Sequence, residues 1–302
     1  MNPTISNSSK IFLFLFLFIL VDRLSGAFLV EGLNRYFGLS ADTELALVGH
    51  SHLMLSVDHK AIEQATGKKV AKYTRAGVNV ADRAVMIDHL LEKCPDLELV
   101  IYGVDAWMFT GEGLSQNSHA LFYPFLSTKE IDKYVQEKAE FTEYWQRKLL
   151  HTSRFDERLV SASVRGYLGN WQNFKYGTVD TLKAKSEILS GNFRKINSSD
   201  MNRNLFEKTL SQLSGKGIDV LLIYTPTIDI FNNAEPDKFR EELDYFRKVA
   251  RTNPNIEIIE YLNPWSSRYE IFFDPIHLNP KGQKIITDSL SHFLNQNYSF
   301  DK

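Results

Sequence analysis

The sequence predicts an α/β fold: a three-layer α/β/α sandwich of the flavodoxin-like kind around a parallel sheet of about five strands. From residue 43 onward, short apolar runs alternate with longer amphipathic segments, a rhythm typical of strand–helix–strand crossovers. Hydrophobic residues make up 43% of the 302 residues, enough to fill a sizeable core. Residues 43–302 are therefore expected to form one α/β domain.

The expected strands are the short apolar runs at 45–49, 69–73, 97–102, 218–224 and 256–260. Most are rich in Val, Ile and Leu, as strands buried between two layers of helices are. The expected helices are the amphipathic segments at 57–66, 80–92, 237–251 and 281–294.

The segment 110–205 interrupts this rhythm and is rich in aromatic and charged residues, with helices expected at 128–150 and 155–167. We interpret it as an insertion between the third and fourth strands, packed over one end of the sheet. It is either a lid that shapes a substrate site or a structural element. Its aromatic side chains likewise form either a sugar-stacking surface or a core: Tyr123, Trp145, Trp171 and Phe174.

The N-terminus begins with a short tail, residues 1–10, followed by a wholly apolar Phe- and Leu-rich run at 11–21. That run suits the core of a signal peptide and is shorter than the roughly 20 residues that span a bilayer. Asp22 and Arg23 interrupt the apolar character, which then resumes at 26–30.

Three interpretations of residues 11–30 are open. They form an uncleaved signal anchor with the charged pair at the membrane interface, or a signal peptide cleaved after Ser25-Gly26-Ala27, or a buried core helix. The run has no polar face, which favours the anchor. Lys10 and the terminal amine favour a cytoplasmic N-terminus, so the α/β domain is predicted to be extracytoplasmic.

Charge and motif content exclude several function classes. The net charge of −2 and the absence of a basic block argue against nucleic acid as a partner. Cys94 is the only cysteine, so no internal disulfide can form. The sequence contains no nucleotide-binding loop, haem motif or zinc-finger spacing, and no cofactor is predicted.

Gly49-His50-Ser51-His52 follows the first expected strand directly. In a parallel sheet this turn lies at the carboxyl edge, where a serine projects into the crevice and nearby backbone N–H groups can stabilise an oxyanion. The alternative is a serine that only caps the following helix.

Asp274 and His277 stand three residues apart just before the last expected helix, which Asn279 can cap with Pro280 in its first turn. A serine hydroxyl needs a base to remove its proton, and a carboxylate three residues before an imidazole can hold it in the required tautomer. The alternative is an Asp–His pair that only orders a loop. Because Ser51 follows the first strand and the pair follows the last, a parallel sheet can bring them to one edge.

These two motifs resemble those of the SGNH/GDSL hydrolase superfamily, which has its serine in an N-terminal Gly-x-Ser and an Asp-x-x-His near the C-terminus. The single hydrophobic segment before the domain is similar to the membrane-anchored, DltD-like branch. The resemblance covers residues 43–109 and 217–295. It implies that Ser51 is the nucleophile, His277 the general base and Asp274 the residue that orients it. It also implies an oxyanion hole from the backbone N–H groups of Ser51 and Gly77.

One position departs from the family pattern. After its third strand the family has Gly-x-Asn-Asp, whose asparagine donates to the oxyanion, whereas this chain has Gly103-Val104-Asp105. An ionised Asp105 cannot donate, and losing one such donor costs about 3 kcal/mol of transition-state stabilisation. Either the amide of Asn79 substitutes, or Asp105 is protonated or turned away, or the activity is low.

His50 and His52 flank the serine and are predicted, with Asp105, to contact substrate. Together with His277 they suggest a metal site, but no fourth ligand with suitable spacing is evident, so no metal is predicted.

The predicted function is serine-dependent ester hydrolysis, or transfer of a small acyl group such as acetyl, on an extracytoplasmic glycan or lipid-linked substrate. The predicted partners are that acyl-ester small molecule or glycan, and the membrane through the N-terminal segment. The main alternative is a catalytically degenerate scaffold or binding subunit of a polysaccharide modification or export system. A thioesterase or lysophospholipase of the same fold is the third hypothesis.

Overall fold

The computed structural model describes residues 7–110 and 117–298 and divides the chain into two compact units. The first, here called the helical unit, combines Met1–Tyr36 with His119–Trp171. The second, here called the α/β unit, combines Phe37–Ser118 with Gln172–Lys302. The segment 110–205 is thus shared between the two units.

Twelve α-helices lie in the described residues: α1 (Asn7–Phe37), α2 (Ser51–Ser56), α3 (His59–Thr66), α4 (Val80–Lys93), α5 (Lys129–Lys138), α6 (Phe141–Leu149), α7 (Glu157–Tyr167), α8 (Thr181–Leu189), α9 (Asp200–Ser214), α10 (Asp229–Asn232), α11 (Pro236–Thr252) and α12 (Pro280–Asn297). The strands are β1 (Leu45–Gly49), β2 (Val70–Thr74), β3 (Leu99–Val104), β4 (Asp219–Tyr224), β5 (Ile256–Glu260), β6 (Phe272–Asp274) and β7 (His277–Leu278).

The α/β unit is built on a parallel five-stranded sheet in the order β2-β1-β3-β4-β5. This is the flavodoxin-like order, in which the chain runs to opposite sides of β1 and leaves a ligand crevice at the carboxyl ends of β1 and β3. The predicted fold class is confirmed, and the switch point lies where Ser51 and Asp105 follow their strands.

Helices cover both faces of the sheet. Because successive strand residues point to opposite faces, Leu47, Ile101 and Ile223 share a cluster with Ile286 and Leu290 of α12. On the other face, the ring of Tyr102 contacts that of Phe206 of α9 (centroids 5.4 Å apart), which in turn contacts Phe246 of α11 (6.0 Å). The result is the predicted three-layer sandwich.

The largest differences from the sequence-based elements occur where a cap or a polar break decides the structure. The serine turn continues into α2, a short helix that begins at Ser51 because the His50 side chain caps it. The single helix expected at 128–150 is two, α5 and α6, separated by Ala139 and Glu140 in extended conformation. Helices α8 and α9 were not expected.

The helical unit is held together by a close crossing of α1 and α7. A Cβ placed on Gly166 would lie 2.0 Å from the carbonyl oxygen of Gly32, so the two backbones touch where neither residue has a side chain. The Tyr167 hydroxyl donates to the Phe28 carbonyl (2.8 Å), and their rings stack 4.4 Å apart.

Helix α1 is continuous over the predicted segment 11–30, and it is the one helix among the described residues that is long and apolar enough to cross a membrane. Asp22, in its middle, is only 5% exposed. Its carboxylate accepts hydrogen bonds from the backbone N–H groups of His151 (2.8 Å) and Thr152 (2.9 Å). A charge within the apolar helix is therefore satisfied by the segment that follows α6.

Candidate active site

Ser51 stands at the first position of α2, directly beyond the end of β1. A Cβ placed on Gly49 or on Gly103, its neighbour across β1 and β3, would lie 3.2 or 3.1 Å from the Leu53 Cβ. Because both residues lack a side chain, the first turn of α2 can pack directly against the ends of both strands. This close approach places Ser51 over the crevice at the switch point, where it is half-buried.

Asp274 and His277 lie on the two short antiparallel strands β6 and β7, where they pair with each other. One carboxylate oxygen of Asp274 accepts from the backbone N–H groups of Ile276 (3.0 Å) and His277 (2.9 Å), and the other bonds His277 Nδ1 at 2.7 Å. Burial raises the pKa of Asp274, but the hydrogen bond and charge of His277 and these two N–H groups outweigh it and lower that pKa. The carboxylate is therefore ionised at neutral pH and orients the imidazole.

The structure brings these three residues together: His277 Nε2 lies 2.8 Å from Ser51 Oγ. With Nδ1–H donated to the carboxylate of Asp274, Nε2 is free to accept the serine proton. The His277 side chain is 18% exposed, so the pair lies at the surface end of the crevice and not deep in the core.

Hydrogen bonds from α12 hold the two halves of this arrangement in place. Gln283 Nε2 donates to the Leu55 carbonyl (3.0 Å), and Thr287 Oγ1 accepts from the Asp58 N–H (3.0 Å). Asn279 caps α12 as expected, accepting from the N–H groups of Lys281 and Gly282. The helix that follows His277 is thus tied to the helix that carries Ser51.

Asp105, at the end of β3, is turned toward His50. It is 1% exposed, and its carboxylate accepts from His50 Nε2 (2.6 Å) and from the backbone N–H of Trp107 (2.9 Å). Burial raises the pKa of Asp105, but the interactions with His50, together with the nearby His52 and Arg83, hold it well below its usual range. Of the alternatives open from the sequence, the structure has Asp105 turned toward His50, and its lowered pKa favours the ionised form.

The position requires two acceptor atoms. His50 Nδ1 accepts from the His52 N–H (3.1 Å), so the proton of the neutral ring is on Nε2, pointing at Asp105. Burial lowers the pKa of His50, which keeps the ring neutral. The two donors reach different oxygens of Asp105, so an asparagine would turn its NH2 group toward one of them, which is a physical reason for aspartate here.

His52 lies between the other two imidazoles. Its ring meets that of His50 edge-on (centroids 4.2 Å) and that of His277 at 89° (5.4 Å). Burial and the neighbouring His50 lower its pKa well below the usual value, and its buried Nδ1 has no hydrogen-bond partner among the described residues. His50 and His52 are 7% and 4% exposed, so both rings lie beneath the surface, and their contact with substrate stays a prediction.

His50, His52 and Asp105 are also the described residues that could together hold a metal ion, with ligand atoms within 4.8 Å of one another. Both nitrogens of His50 are already hydrogen-bonded, one to Asp105 and one to the His52 N–H. Binding a metal ion would require breaking these two hydrogen bonds. The three side chains therefore fit a hydrogen-bonded cluster better than a metal site.

Gly77 lies in the turn between β2 and α4. Its φ of +78° falls in the left-handed region that favours glycine. The Arg75 N–H donates to the Gly49 carbonyl (3.1 Å), which ties the start of this turn to the strand end that precedes Ser51. The oxyanion role of the Gly77 N–H stays a prediction.

Asn79 is the N-cap of α4. Its side-chain oxygen accepts from the Asp82 N–H (2.9 Å), and its own N–H donates to the Asp82 carboxylate (2.8 Å), forming a capping box. The oxygen is committed to the cap, whereas the amide nitrogen keeps donor capacity. Its proposed contribution to the oxyanion hole is compatible with that arrangement.

Arg83 was not among the residues predicted for the site; it is a fully buried cation close to Asp105. Its Nη1 donates to the Gly103 carbonyl (2.7 Å), and its guanidinium lies 5.6 Å from the centre of the Tyr102 ring. The available signal was a charged residue on the same helical face as Ile87 and Leu90, which are apolar.

No protein-family model matches this chain. No curated protein matches it either. Among solved structures, the chain is similar to one from Streptococcus pneumonia given the provisional name platelet activating factor, with 9% sequence identity and a TM-score of 0.42, covering 96% of this chain and 100% of that chain.

Proposed function

We propose that this chain is a membrane-anchored, SGNH-type serine esterase or O-acyltransferase that acts on a small acyl ester outside the cytoplasm. The observation that carries the proposal is the continuous hydrogen-bonded series Ser51 Oγ–His277–Asp274, with links of 2.8 and 2.7 Å. If the Asp–His pair only ordered a loop, His277 Nε2 would not need to lie within hydrogen-bonding distance of a serine at a helix N-terminus.

In the proposed reaction, His277 Nε2 removes the Ser51 proton as the oxygen attacks the acyl carbonyl. Asp274 stabilises the imidazolium that forms, and the Ser51 and Gly77 N–H groups bind the oxyanion. His277 returns the proton to the departing alkoxide, leaving an acyl-serine. Attack by water then completes hydrolysis, and attack by a sugar hydroxyl completes transfer.

The substrate side of the proposal is an acyl group, such as acetyl, on an extracytoplasmic glycan or lipid-linked molecule. It is supported by the apolar length of α1, which suits a membrane anchor, and by Lys10 at its N-terminal end, which favours a cytoplasmic N-terminus. With that orientation the α/β unit meets substrates outside the cytoplasm.

Fluorophosphonate labelling of the full-length protein, followed by peptide mapping, tests the proposal. We expect labelling at Ser51 that is lost in Ser51→Ala and in His277→Ala, because the probe needs an activated oxygen. Ser211→Ala, at an exposed hydroxyl on α9, is the matched control and should label like the wild type. An unlabelled Ser51 in folded protein would contradict the proposal.

A non-catalytic scaffold is the second candidate, and Asp105 is the observation that favours it. The family places an amide donor at this point, and here an ionised carboxylate bonded to His50 replaces it. Under this hypothesis Ser51 does not label, and wild type and Ser51→Ala both match the buffer rate with an activated acetyl ester.

A further inference from the structure

The helical unit carries an apolar stripe in addition to that of α1. Phe141, Trp145 and Leu149 of α6 are 76%, 43% and 60% exposed. Residues four apart lie on one face of a helix, so the three side chains form a single exposed row, here called the α6 stripe.

The charged side chains of α6 are paired and only partly exposed. Arg147 pairs with Glu143 (3.4 Å) and Lys148 pairs with Asp132 (2.6 Å) of α5, and these four side chains are all less exposed than those of the stripe. An amphipathic helix on a water-facing surface has the opposite arrangement, with its apolar face inward. Thr142 and Gln146 are also exposed, but the large side chains of the α6 stripe fit an apolar environment.

The end of α6 is fixed to the middle of α1. The Leu149 carbonyl accepts a hydrogen bond from the Arg23 guanidinium (3.0 Å), and the N–H groups of His151 and Thr152 donate to Asp22. Leu149 therefore lies beside the point where the apolar run 11–21 ends.

The length of that run indicates what surrounds the stripe. The run spans about 16 Å, about half of the roughly 30 Å hydrocarbon core of a bilayer. A helix that enters the core near Ile11 leaves it about 20 residues later, near Val30, and α1 indeed continues with exposed Leu24 (62%) and Phe28 (56%). The level of Arg23, and with it the end of α6, then falls within the depth of the bilayer.

We propose that α6 lies within the depth of the bilayer, in the leaflet farther from Ile11, with Phe141, Trp145 and Leu149 inserted among its phospholipid acyl chains. Trp145 has the amphipathic ring that membrane interfaces favour. The acyl chains then bury the α6 stripe. Together with α1, this contact fixes the depth of the helical unit in the membrane. This inference rests on the membrane-anchor part of the proposed function and is independent of the chemistry at Ser51.

The single, buried cysteine makes the test direct. In a Cys94→Ala background, single cysteines replace Trp145, Leu149, Phe16 in α1, or Leu189 in α8, a control that is 89% exposed in the α/β unit. Each full-length variant is labelled with an environment-sensitive fluorophore and reconstituted in phosphatidylcholine vesicles with or without acyl-chain spin-labelled lipid. Thermal melting confirms that each variant folds.

We expect spin-label quenching at positions 16, 145 and 149 at least twofold greater than at position 189, which should instead be quenched by aqueous iodide. Quenching at 16 without quenching at 145 and 149 would leave the anchor standing and overturn the inference. Probes at 145 and 149 shielded from both quenchers would indicate a protein partner and overturn it as well. Absence of spin-label quenching at position 16 would overturn both the membrane anchor and the inference. Fluorophosphonate labelling of Ser51 tests the chemistry separately.

Discussion

Two aspartates at this site have different tasks, which follow from what their carboxylates contact. Asp274 bonds the imidazole that reaches Ser51, whereas Asp105 bonds the imidazole that caps the helix carrying Ser51. The first bears on the proposed proton transfer, and the second on where the nucleophile stands. Substitutions at the two positions should therefore have different signatures.

Asp274→Asn should leave the fold intact and abolish most of the activity. An amide cannot hold His277 in the tautomer that leaves Nε2 free, and comparable triads lose roughly 10⁴-fold in kcat on this change. Steady-state hydrolysis of an activated acetyl ester measures it, with Asp288→Asn on the outer face of α12 as the control. A loss of less than about tenfold would mean that Asp274 does not orient the base.

Asp105→Asn should destabilise the protein. The His50 and Trp107 donors reach different oxygens, so the amide NH2 would face one of them and that buried donor would lose its partner, at a cost of about 1–3 kcal/mol. Thermal melting at neutral pH measures the loss, with the exposed Asp96→Asn as the matched control.

The effect at Asp105 should also depend on pH. Because the folded pKa of Asp105 lies below its ordinary value, its ionised form stabilises the fold above the unfolded-state pKa of about 3.9, and that contribution is lost as the pH falls below it. The gap between wild type and Asp105→Asn should therefore be constant from pH 7 to about pH 5 and narrow below about pH 4. A gap that widened with acid would contradict an ionised Asp105.

At the scale of elements, close approaches at glycines set the positions of two helices. Gly49 and Gly103 admit the first turn of α2 over the ends of β1 and β3, and Gly32 and Gly166 admit α7 onto α1. An added Cβ would meet the Leu53 Cβ at Gly49 and Gly103 and the Gly32 carbonyl oxygen at Gly166. These atoms cannot swing away as the end of a long side chain can. A methyl group there must move a whole element.

Gly166→Ala should separate α1 from α7, since the added Cβ would lie 2.0 Å from the Gly32 carbonyl oxygen. Overpacking of this kind costs about 1–3 kcal/mol or more. Thermal melting in detergent measures it, and Ser161→Ala on the exposed face of α7 is the control. An unchanged melting temperature would show that α1 and α7 are farther apart at Gly32 and Gly166 than in this structure.

At the scale of the whole molecule, the charge at the start of α1 predicts its orientation. With Lys10 and the N-terminus in the cytoplasm, the protein should remain in the membrane pellet after carbonate washing, and protease added to spheroplasts should digest the α/β unit. Lys10→Glu should weaken the orientation, with Lys129→Glu as the charge-matched control. Recovery of wild-type protein wholly in the soluble fraction would refute an anchor.

The sequence by itself determined the fold class, the five strands of the parallel sheet to within two residues, the continuity of α1 over residues 11–30, and the motifs around Ser51 and His277. These depend on local patterns: apolar periodicity, a glycine turn after a strand, and a capped helix after an Asp-x-x-His. What only the tertiary structure decided depends on contacts between distant segments. Asp105 contacts His50 because β3 lies beside β1, and Arg83 is buried near both because α4 packs behind them. The Asp22 carboxylate accepts a hydrogen bond from the N–H of Thr152, 130 residues later. Such pairs meet because of strand order and helix crossings, which no local sequence pattern encodes.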